Sequence, residues 1–171
     1  MKLYGVTGWK NAGKTGLVER LVSAMCARGL TVSTIKHAHH ETEIDHPGRD
    51  SYRHREAGAR EVMVSSPMRW ALMHELRGTS EPALEDLLAR LSPVDLVLIE
   101  GYKHARHPKI EAHRIETGHA LLAPANASVR AVATNASKGD PVLAGVTVPV
   151  LPLDDTAVIA DFILRDLGMV Q

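Results

Sequence analysis

The stretch GWKNAGKT, residues 8–15, decides the fold of this 171-residue chain. It satisfies the pattern G-x-x-x-x-G-K-[ST], with Gly8, Gly13, Lys14 and Thr15 in the four required places. A short apolar segment, KLYGVT, precedes it, and apolar residues at helical spacing follow it in GLVERLVSAMCARGL. Because a phosphate-binding loop joins a strand to a helix, this context favours such a loop over a chance spacing in a turn.

The chemistry of phosphate binding explains the residue types of the loop. Several inward-facing backbone N–H groups hold the phosphate oxygens, which requires glycine wherever a Cβ would block the curl. The helix that follows points its positive dipole end at the same anion. Lys14 then reaches the β- and γ-phosphates, and the hydroxyl of Thr15 ligates a magnesium ion. The nucleotide contacts predicted from this segment are Gly8, Trp9, Lys10, Asn11, Ala12, Gly13, Lys14, Thr15 and Gly16, although Lys10 also fits a charge that faces solvent or a partner.

Strand and helix candidates alternate along the chain. The later strand candidates are TVSTIKH, EVMVSS, RWALMHEL, VDLVLIEG, KIEAHRI, VRAVAT and GVTVPVLPL, and the later helix candidates are RDSYRHREAGA, SEPALEDLLARL and DTAVIADFILRDLG. In the second of these helices, Ser80 is expected to cap the N-terminus and Pro82 to lie in the first turn. The alternation predicts an α/β fold of the P-loop NTPase type, with a mostly parallel central sheet and helices on both faces. No linker interrupts the sequence, so residues 1–171 are predicted to form a single nucleotide-binding domain.

Composition narrows the class of protein. Twenty basic residues balance twenty acidic ones, which argues against bulk binding to nucleic acid, where a basic surface is the usual footprint. Cys26 is the sole cysteine, so an intramolecular disulfide is excluded. No apolar run is long enough to span a bilayer, and the first residues lack the apolar core of a signal peptide. We therefore expect a cytoplasmic protein without a membrane partner.

A nucleotide loop needs an acid at the end of a buried strand to organise magnesium. In DLVLIEG, Glu100 follows four apolar residues, whereas Asp95 begins the same strand and lies about 17 Å away at the rise of a strand. Glu100 is therefore the predicted metal-organising acid, together with Thr15, rather than a plain strand-end carboxylate. Asp45 and Asp50 follow the second strand, where either can ligate the magnesium shell or orient a water molecule. Asp50, the second catalytic candidate beside Glu100, also suits the N-cap of the helix SYRHREAGA.

Two segments carry an excess of imidazole or basic side chains. A cluster of histidines suggests either a metal site or a polar rim beside an anion site. It comprises His37, His39 and His40 in KHAHH, and His46 follows them. The segment GYKHARHPKIEAHR, after Glu100, is placed to meet a second anion or a partner, unless it is a solvated loop. The candidate anion or partner contacts are His37, Arg53, Lys103 and Lys109.

In this order, GWKNAGKT, TIKHAHH, HPGRDSYRHREAGA, DLVLIEGYKH and PKIEAHR resemble the molybdopterin-guanine dinucleotide biosynthesis protein B (MobB) family over nearly the whole chain. The resemblance implies the P-loop class that includes signal-recognition and metal-insertion GTPases. It implies binding of GTP and Mg²⁺, slow hydrolysis, a homodimer and a guanylyltransferase partner, with molybdopterin as a candidate further ligand. It also implies that the residues around Asp50 and Arg53 form a switch-like segment that faces the nucleotide.

The sequence departs from common GTPases in the motif that reads the base. Guanine-specific proteins often carry N/T-K-x-D, whose aspartate accepts hydrogen bonds from the N1–H and N2–H groups. Here VRAVAT runs into NASKGD, where no lysine follows Asn135. Asn135 is the predicted contact to the base edge, and Asp140 is a candidate for the missing carboxylate. The residues by themselves leave ATP open.

Two other functions fit parts of the sequence. A metal-insertion GTPase of the nickel-chaperone kind would explain the histidines at positions 37, 39 and 40. A small-molecule P-loop kinase would suit the length of the chain, but such enzymes usually carry several arginines on one lid, and the arginines here are scattered. An accessory GTPase of molybdenum cofactor maturation fits the whole pattern.

Overall fold

The computed structural model describes residues 1–38 and 44–170 and divides the chain into two compact units. One unit comprises Met1–His37 and Pro93–Gln171, and the other comprises Ala38–Ser92. In chain order, the strands and helices are β1 (Lys2–Thr7), α1 (Lys14–Ala27), β2 (Val32–Lys36), α2 (Asp50–Glu56), β3 (Glu61–Ser65), β4 (Trp70–His74), α3 (Leu84–Leu88), β5 (Leu96–Glu100), β6 (Lys109–His113), β7 (Val129–Thr134), β8 (Val150–Pro152) and α4 (Thr156–Asp166).

The first unit contains a parallel sheet with the strand order β2-β5-β1-β6-β7-β8. Strand β5 is buried at every position, as its apolar sequence predicts, and it pairs with β1 on one side and β2 on the other. Because all six strands run in the same direction, their carboxyl ends meet at one edge of the sheet. The parallel α/β sheet predicted from the alternating elements is confirmed.

One face of this sheet carries the hydrophobic core. Alternate residues of the strands, among them Tyr4 and Val6 on β1 and Ile110 and Ala112 on β6, point towards α1 and α4. Leu17 and Leu21 of α1 and the apolar side of α4 are buried against them. Burial of each leucine, isoleucine or valine in this core stabilises the fold by about 1.5–3 kcal/mol before the cost of ordering the chain.

The opposite face of the sheet is polar where β1, β6 and β7 meet. The residues that alternate with the core positions there are Thr7, Lys109, Glu111, His113 and Thr134, each no more than 3% exposed. The segment after β6, with 3-10 turns at Ile115–Thr117 and Ala123–Ala125, covers this face and donates backbone N–H hydrogen bonds to Glu111 on it. Buried polar groups need such partners, so the polar face fixes the course of the covering segment.

The second unit contains α2, α3 and an antiparallel hairpin of β3 and β4. The predicted short helix near Gly58 is confirmed as α2. The start predicted for α3 is wrong, because this helix begins at Leu84, is capped by the backbone at Ala83, and has no side-chain cap from Ser80. Within the described residues, no helix has the length and apolar character needed to cross a membrane.

Candidate functional site

The loop between β1 and α1 has the backbone of a phosphate cradle. Gly8, Asn11 and Gly13 have φ values of 142°, 65° and 89°. Residues other than glycine and asparagine rarely adopt such positive φ values. A Cβ added to Gly8 would lie 2.3 Å from the backbone oxygen of Ala112 on β6. Glycine at this position therefore allows the loop to leave the sheet directly beside the neighbouring strand.

Lys14 opens α1 and folds back over the loop. Its Nζ donates a hydrogen bond of 2.7 Å to the backbone oxygen of Trp9. Burial lowers the pKa of Lys14, and the negative charge of Glu100 acts in the opposite direction. The loop thus surrounds a partly desolvated ammonium group, which is well suited to meet phosphate oxygens.

Thr15 and Glu100 meet at the carboxyl end of β5, as the sequence predicts for a metal site. The Thr15 hydroxyl donates to Glu100 Oε1 at 2.9 Å, and the Nζ atom of Lys36 lies 3.6 Å from the same oxygen. Glu100 is only 7% exposed. A hydroxyl and a carboxylate are the oxygen ligands that magnesium prefers, so these side chains fit the ion that a bound triphosphate would bring.

His37 continues from β2 at the same edge of the sheet. Its backbone N–H donates to the backbone oxygen of Glu100, and its ring stacks on Tyr102 with centroids 4.5 Å apart. Two other predicted histidine ligands, His39 and His40, lie outside the described residues. Among residues 1–38 and 44–170, no group of three or more His, Cys, Asp or Glu side chains is arranged to hold a metal ion.

Trp9 ties the phosphate loop to two other loops, a role that its sequence position did not indicate. Its indole N–H donates to the backbone oxygen of Ala120 at 2.8 Å, and its ring lies 5.1 Å from that of His119. Lys103, after β5, places its Nζ 4.0 Å from the Trp9 ring centroid. This cation–π contact and the indole hydrogen bond fix Trp9, whose backbone oxygen holds Lys14.

Lys109 lies in the interior, unlike the exposed position expected for a partner contact. It is fully buried, and its Nζ donates to the backbone oxygen of Ala105 and to the Ser128 hydroxyl. Burial lowers the pKa of Lys109. Its hydrogen bonds join the segment before β6 to the segment before β7, so Lys109 stabilises the fold.

Glu111 is a second buried ionisable group that the strand pattern alone did not single out. Its carboxylate accepts hydrogen bonds from the backbone N–H groups of Leu122 and Ala123. Burial raises the pKa of Glu111, while these hydrogen bonds act in the opposite direction. On the same strand, His113 contacts Thr134 Oγ1 and the backbone oxygen of His119. Both residues therefore hold the segment that contacts Trp9.

Asn135, the predicted base contact, follows β7 directly. Its Nδ2 atom donates to both carboxylate oxygens of Glu116, at 2.8 and 2.9 Å, and its Oδ1 accepts from the N–H of Ile115. Asp140 instead accepts from the N–H of Val142 and caps a 3-10 turn at Pro141–Leu143. The carboxylate beside Asn135 is thus Glu116, which the sequence motif did not reveal because it comes from a different loop.

Two cavities open near Asn135. One, of about 530 Å³, is lined by Lys10, Asn11, Arg114, Glu116, Thr117 and His119. The other, of about 600 Å³, is lined by Thr134, Asn135, Ala136, Lys138, Leu143 and residues of β8. The first cavity adjoins the phosphate loop itself.

Asp50 and Arg53 belong to the second unit. Asp50 is the first residue of α2 rather than its N-cap, which is Arg49, and its side chain is 90% exposed. Arg53 Nη1 lies 3.9 Å from Asp50 Oδ1. Asp45, in contrast, accepts from the Ser51 hydroxyl and is largely buried. Asp45 therefore anchors the start of α2, and Asp50 projects into solvent.

The chain matches a known protein family over most of its length. The model of the family described as "Molybdopterin guanine dinucleotide synthesis protein B" (MobB) matches residues 3–135. The "Molybdopterin-guanine dinucleotide biosynthesis adapter protein" of Escherichia coli K12 is 44% identical over 119 residues, 68% of each chain. The protein of the same name from Haemophilus influenzae is 43% identical over 136 residues, covering 78% of this chain and 74% of that one.

Solved structures agree with these sequence matches. The crystal structure of a MobB protein homolog from Bacillus stearothermophilus superposes with a TM-score of 0.69 at 28% identity. The superposition covers 99% of this chain and 100% of the other. The match thus extends through both compact units and beyond the residues that the family model covers.

Proposed function

This chain belongs to the molybdopterin guanine dinucleotide synthesis protein B family, and on that premise we propose that it is a GTP-binding adapter protein of molybdopterin-guanine dinucleotide biosynthesis. It binds GTP with Mg²⁺, hydrolyses it slowly, and assists the guanylyltransferase that attaches the nucleotide to molybdopterin. The role as an adapter follows the names of its relatives from Escherichia coli and Haemophilus influenzae.

The observation that carries the proposal is the cradle around Lys14. A loop of glycine-dependent backbone, a partly buried ammonium group and the start of a 14-residue helix converge at the carboxyl edge of a parallel sheet. Each of these features favours a phosphate anion, through N–H groups, positive charge and the helix dipole respectively. Their combination suits a triphosphate better than a neutral ligand.

Thr15 and Glu100 would hold the magnesium ion. The ion would neutralise charge on the β- and γ-phosphates when it is bound. In the protein alone, Thr15 donates to Glu100 and the Lys36 ammonium group lies near the same oxygen, so the carboxylate already has two partners. Glu100 is therefore a poor general base, which is consistent with slow hydrolysis. Asp50 remains the candidate that orients water, and Asp50→Asn should lower the rate of hydrolysis without changing the affinity for GTP.

The protein forms a homodimer and a complex with the guanylyltransferase, and molybdopterin is a candidate further ligand of that complex. An adapter needs a partner enzyme, and a slowly hydrolysed nucleotide can set the lifetime of such a complex. The partner should therefore bind more tightly to the GTP-loaded protein than to the GDP-loaded one.

The decisive experiment is a titration with GTP and ATP in parallel, with and without Mg²⁺. Trp9 offers an intrinsic fluorescence signal because it lies within the phosphate loop, and Trp70→Phe removes the second tryptophan, which is 65% exposed on β4. Saturable binding of GTP that tightens with Mg²⁺ supports the proposal. A sample of the folded Trp70→Phe protein that bound neither nucleotide, by fluorescence or by calorimetry, would refute it. Co-purification with the guanylyltransferase in GTP and in GDP then tests the adapter role.

A further inference from the structure

We propose that Glu116, held in place by Asn135, is the carboxylate that recognises the guanine base. This inference rests on the proposed function, because it assigns the base specificity of the same nucleotide site. The expected ligand is a purine nucleotide that presents two adjacent N–H donors on one edge. The specificity residue thus comes from the loop after β6 rather than from the loop after β7.

The two loops are joined by hydrogen bonds in both directions. Asn135 donates from Nδ2 to both oxygens of Glu116, and it accepts at Oδ1 from the backbone N–H of Ile115. Glu116 lies in the 3-10 turn Ile115–Thr117, two residues after Arg114, whose guanidinium approaches Asp154 at 3.2 Å. The carboxylate is therefore held at the edge of the sheet from which the phosphate loop also emerges.

Glu116 faces a cavity of the right size and position. The cavity of about 530 Å³ is bounded on one side by Lys10 and Asn11 of the phosphate loop and on the other by Glu116. Pockets of roughly 300–1,000 Å³ commonly hold small ligands and cofactors. A nucleotide whose triphosphate lies on the loop would have its base or ribose within reach of this space.

The carboxylate of Glu116 can accept further hydrogen bonds beside those it already receives. An ionised carboxylate offers about four lone-pair sites, and the donors that already meet it are the NH₂ group of Asn135 and the backbone N–H of Glu116 itself. Its hydrogen bond to Asn135 lowers the pKa of Glu116, so the group is an anion at neutral pH. An exposed anion with free acceptor sites can receive both the N1–H and the N2–H of guanine. Adenine presents an acceptor at N1 and is disfavoured there.

Two other residues near Asn135, Asp140 and Lys138, are less suited to recognise guanine. Asp140 caps the turn at Pro141–Leu143 through the N–H of Val142. The cavity of about 600 Å³ has Lys138 as its charged lining residue, which is a donor and cannot accept from N1–H. Glu116 is the carboxylate that shares both a cavity with the phosphate loop and a hydrogen bond with Asn135.

The role of Glu116 can be tested by exchanging hydrogen-bond donors and acceptors on its side chain and on the purine base. Glu116→Gln replaces one carboxylate oxygen by an NH₂ donor, and xanthine has a carbonyl oxygen where guanine has its 2-amino group. We expect the parent to bind GTP more tightly than ITP, which lacks the amino group, and ITP more tightly than ATP. Glu116→Gln should weaken GTP binding about 10- to 100-fold and strengthen XTP binding. Glu19→Gln, an exposed change of equal charge on α1, is the control and should leave all four affinities unchanged.

Calorimetric titration of the folded parent and variants separates the outcomes. If the parent binds GTP and Glu116→Gln binds it equally well, the role of Glu116 is refuted while the proposed function stands. Loss of GTP binding without a gain in XTP binding also refutes it, because Glu116 would then act only through the structure. If the parent binds none of the four nucleotides, the proposed function itself fails.

Discussion

Replacement of Lys14 by methionine should separate nucleotide binding from stability. The Lys14 ammonium group is partly desolvated and donates to the backbone oxygen of Trp9 at 2.7 Å. In the proposed complex it faces the β- and γ-phosphates. Lys14→Met keeps the length and apolar stem of the side chain but removes the charge, so the triphosphate would be left without its main cation.

The size of the effect follows from the burial of this group. Removal of one partner of a desolvated charge pair costs about 2–4 kcal/mol of binding free energy. That corresponds to a loss of about 30- to 700-fold in GTP affinity. The free protein should change by no more than about 1 kcal/mol, because the lost hydrogen bond to Trp9 is offset by removal of a charge that burial disfavours.

Two measurements on the same samples check this expectation. Calorimetric titration gives the affinity for GTP with Mg²⁺, and urea unfolding without nucleotide gives the stability. Lys2→Met, an exposed lysine at the opposite end of β1, controls for the change in net charge. Equal GTP affinity for Lys14→Met and the parent would show that the cradle does not hold the triphosphate as described.

Three further predictions concern neighbouring positions. Glu100→Gln should leave GTP binding in EDTA unchanged and abolish most of the affinity gained with Mg²⁺; a full Mg²⁺ effect in parallel titrations would contradict the metal role. Burial raises the pKa of Glu111 above its ordinary value of 4.5, so the folded state binds this proton more tightly than the unfolded state. The free energy of unfolding should therefore fall as pH rises from 4.5 through the raised pKa, relative to Glu111→Gln; parallel pH profiles in urea unfolding would exclude this. Gly8→Ala should destabilise the fold by at least about 1–3 kcal/mol, because its φ is 142° and the new Cβ would lie 2.3 Å from the Ala112 oxygen. Gly16→Ala, where the Cβ has ordinary contacts, should change thermal stability by less than about 1 kcal/mol, and similar losses in both variants would argue against the clash.

Local patterns in the sequence predict those parts of the site that lie on one strand, one turn or one helix. The sequence predicts the phosphate loop because its spacing, the apolar strand before it and the helical periodicity after it agree. The sequence also indicates Glu100, because it is a charged residue at the end of a run of apolar residues. The contact of Thr15 with Glu100 follows once a parallel sheet is assumed, since β1 and β5 then end at the same edge.

Contacts between loops were beyond the reach of these patterns. The partners of Trp9 lie after β5 and after β6, so no spacing within the phosphate loop indicates them. The sequence predicts KIEAHRI as a strand, but the burial of Lys109 and Glu111 depends on a covering segment that no sequence pattern indicates. The hydrogen bond between Glu116 and Asn135 is hidden for the same reason, because the two residues follow different strands. The predicted start of α3 is wrong because Ser80 and Pro82 have the residue types of a helix N-terminus, whereas the helix begins at Leu84.

The strand order has a consequence for the folding of the protein during its synthesis on the ribosome. Strand β5 lies between β1 and β2, yet residues 38–92 are translated before it. Because translation proceeds at about 5–20 residues per second, several seconds pass between the synthesis of β2 and that of β5. During this time the backbone groups of β1 and β2 lack their partners on β5. The β3–β4 hairpin, whose pairing is local, forms in microseconds once it leaves the exit tunnel. Chaperones that shield nascent chains should therefore act on β1 and β2 during this interval, and slow codons before residue 96 should lower the soluble yield.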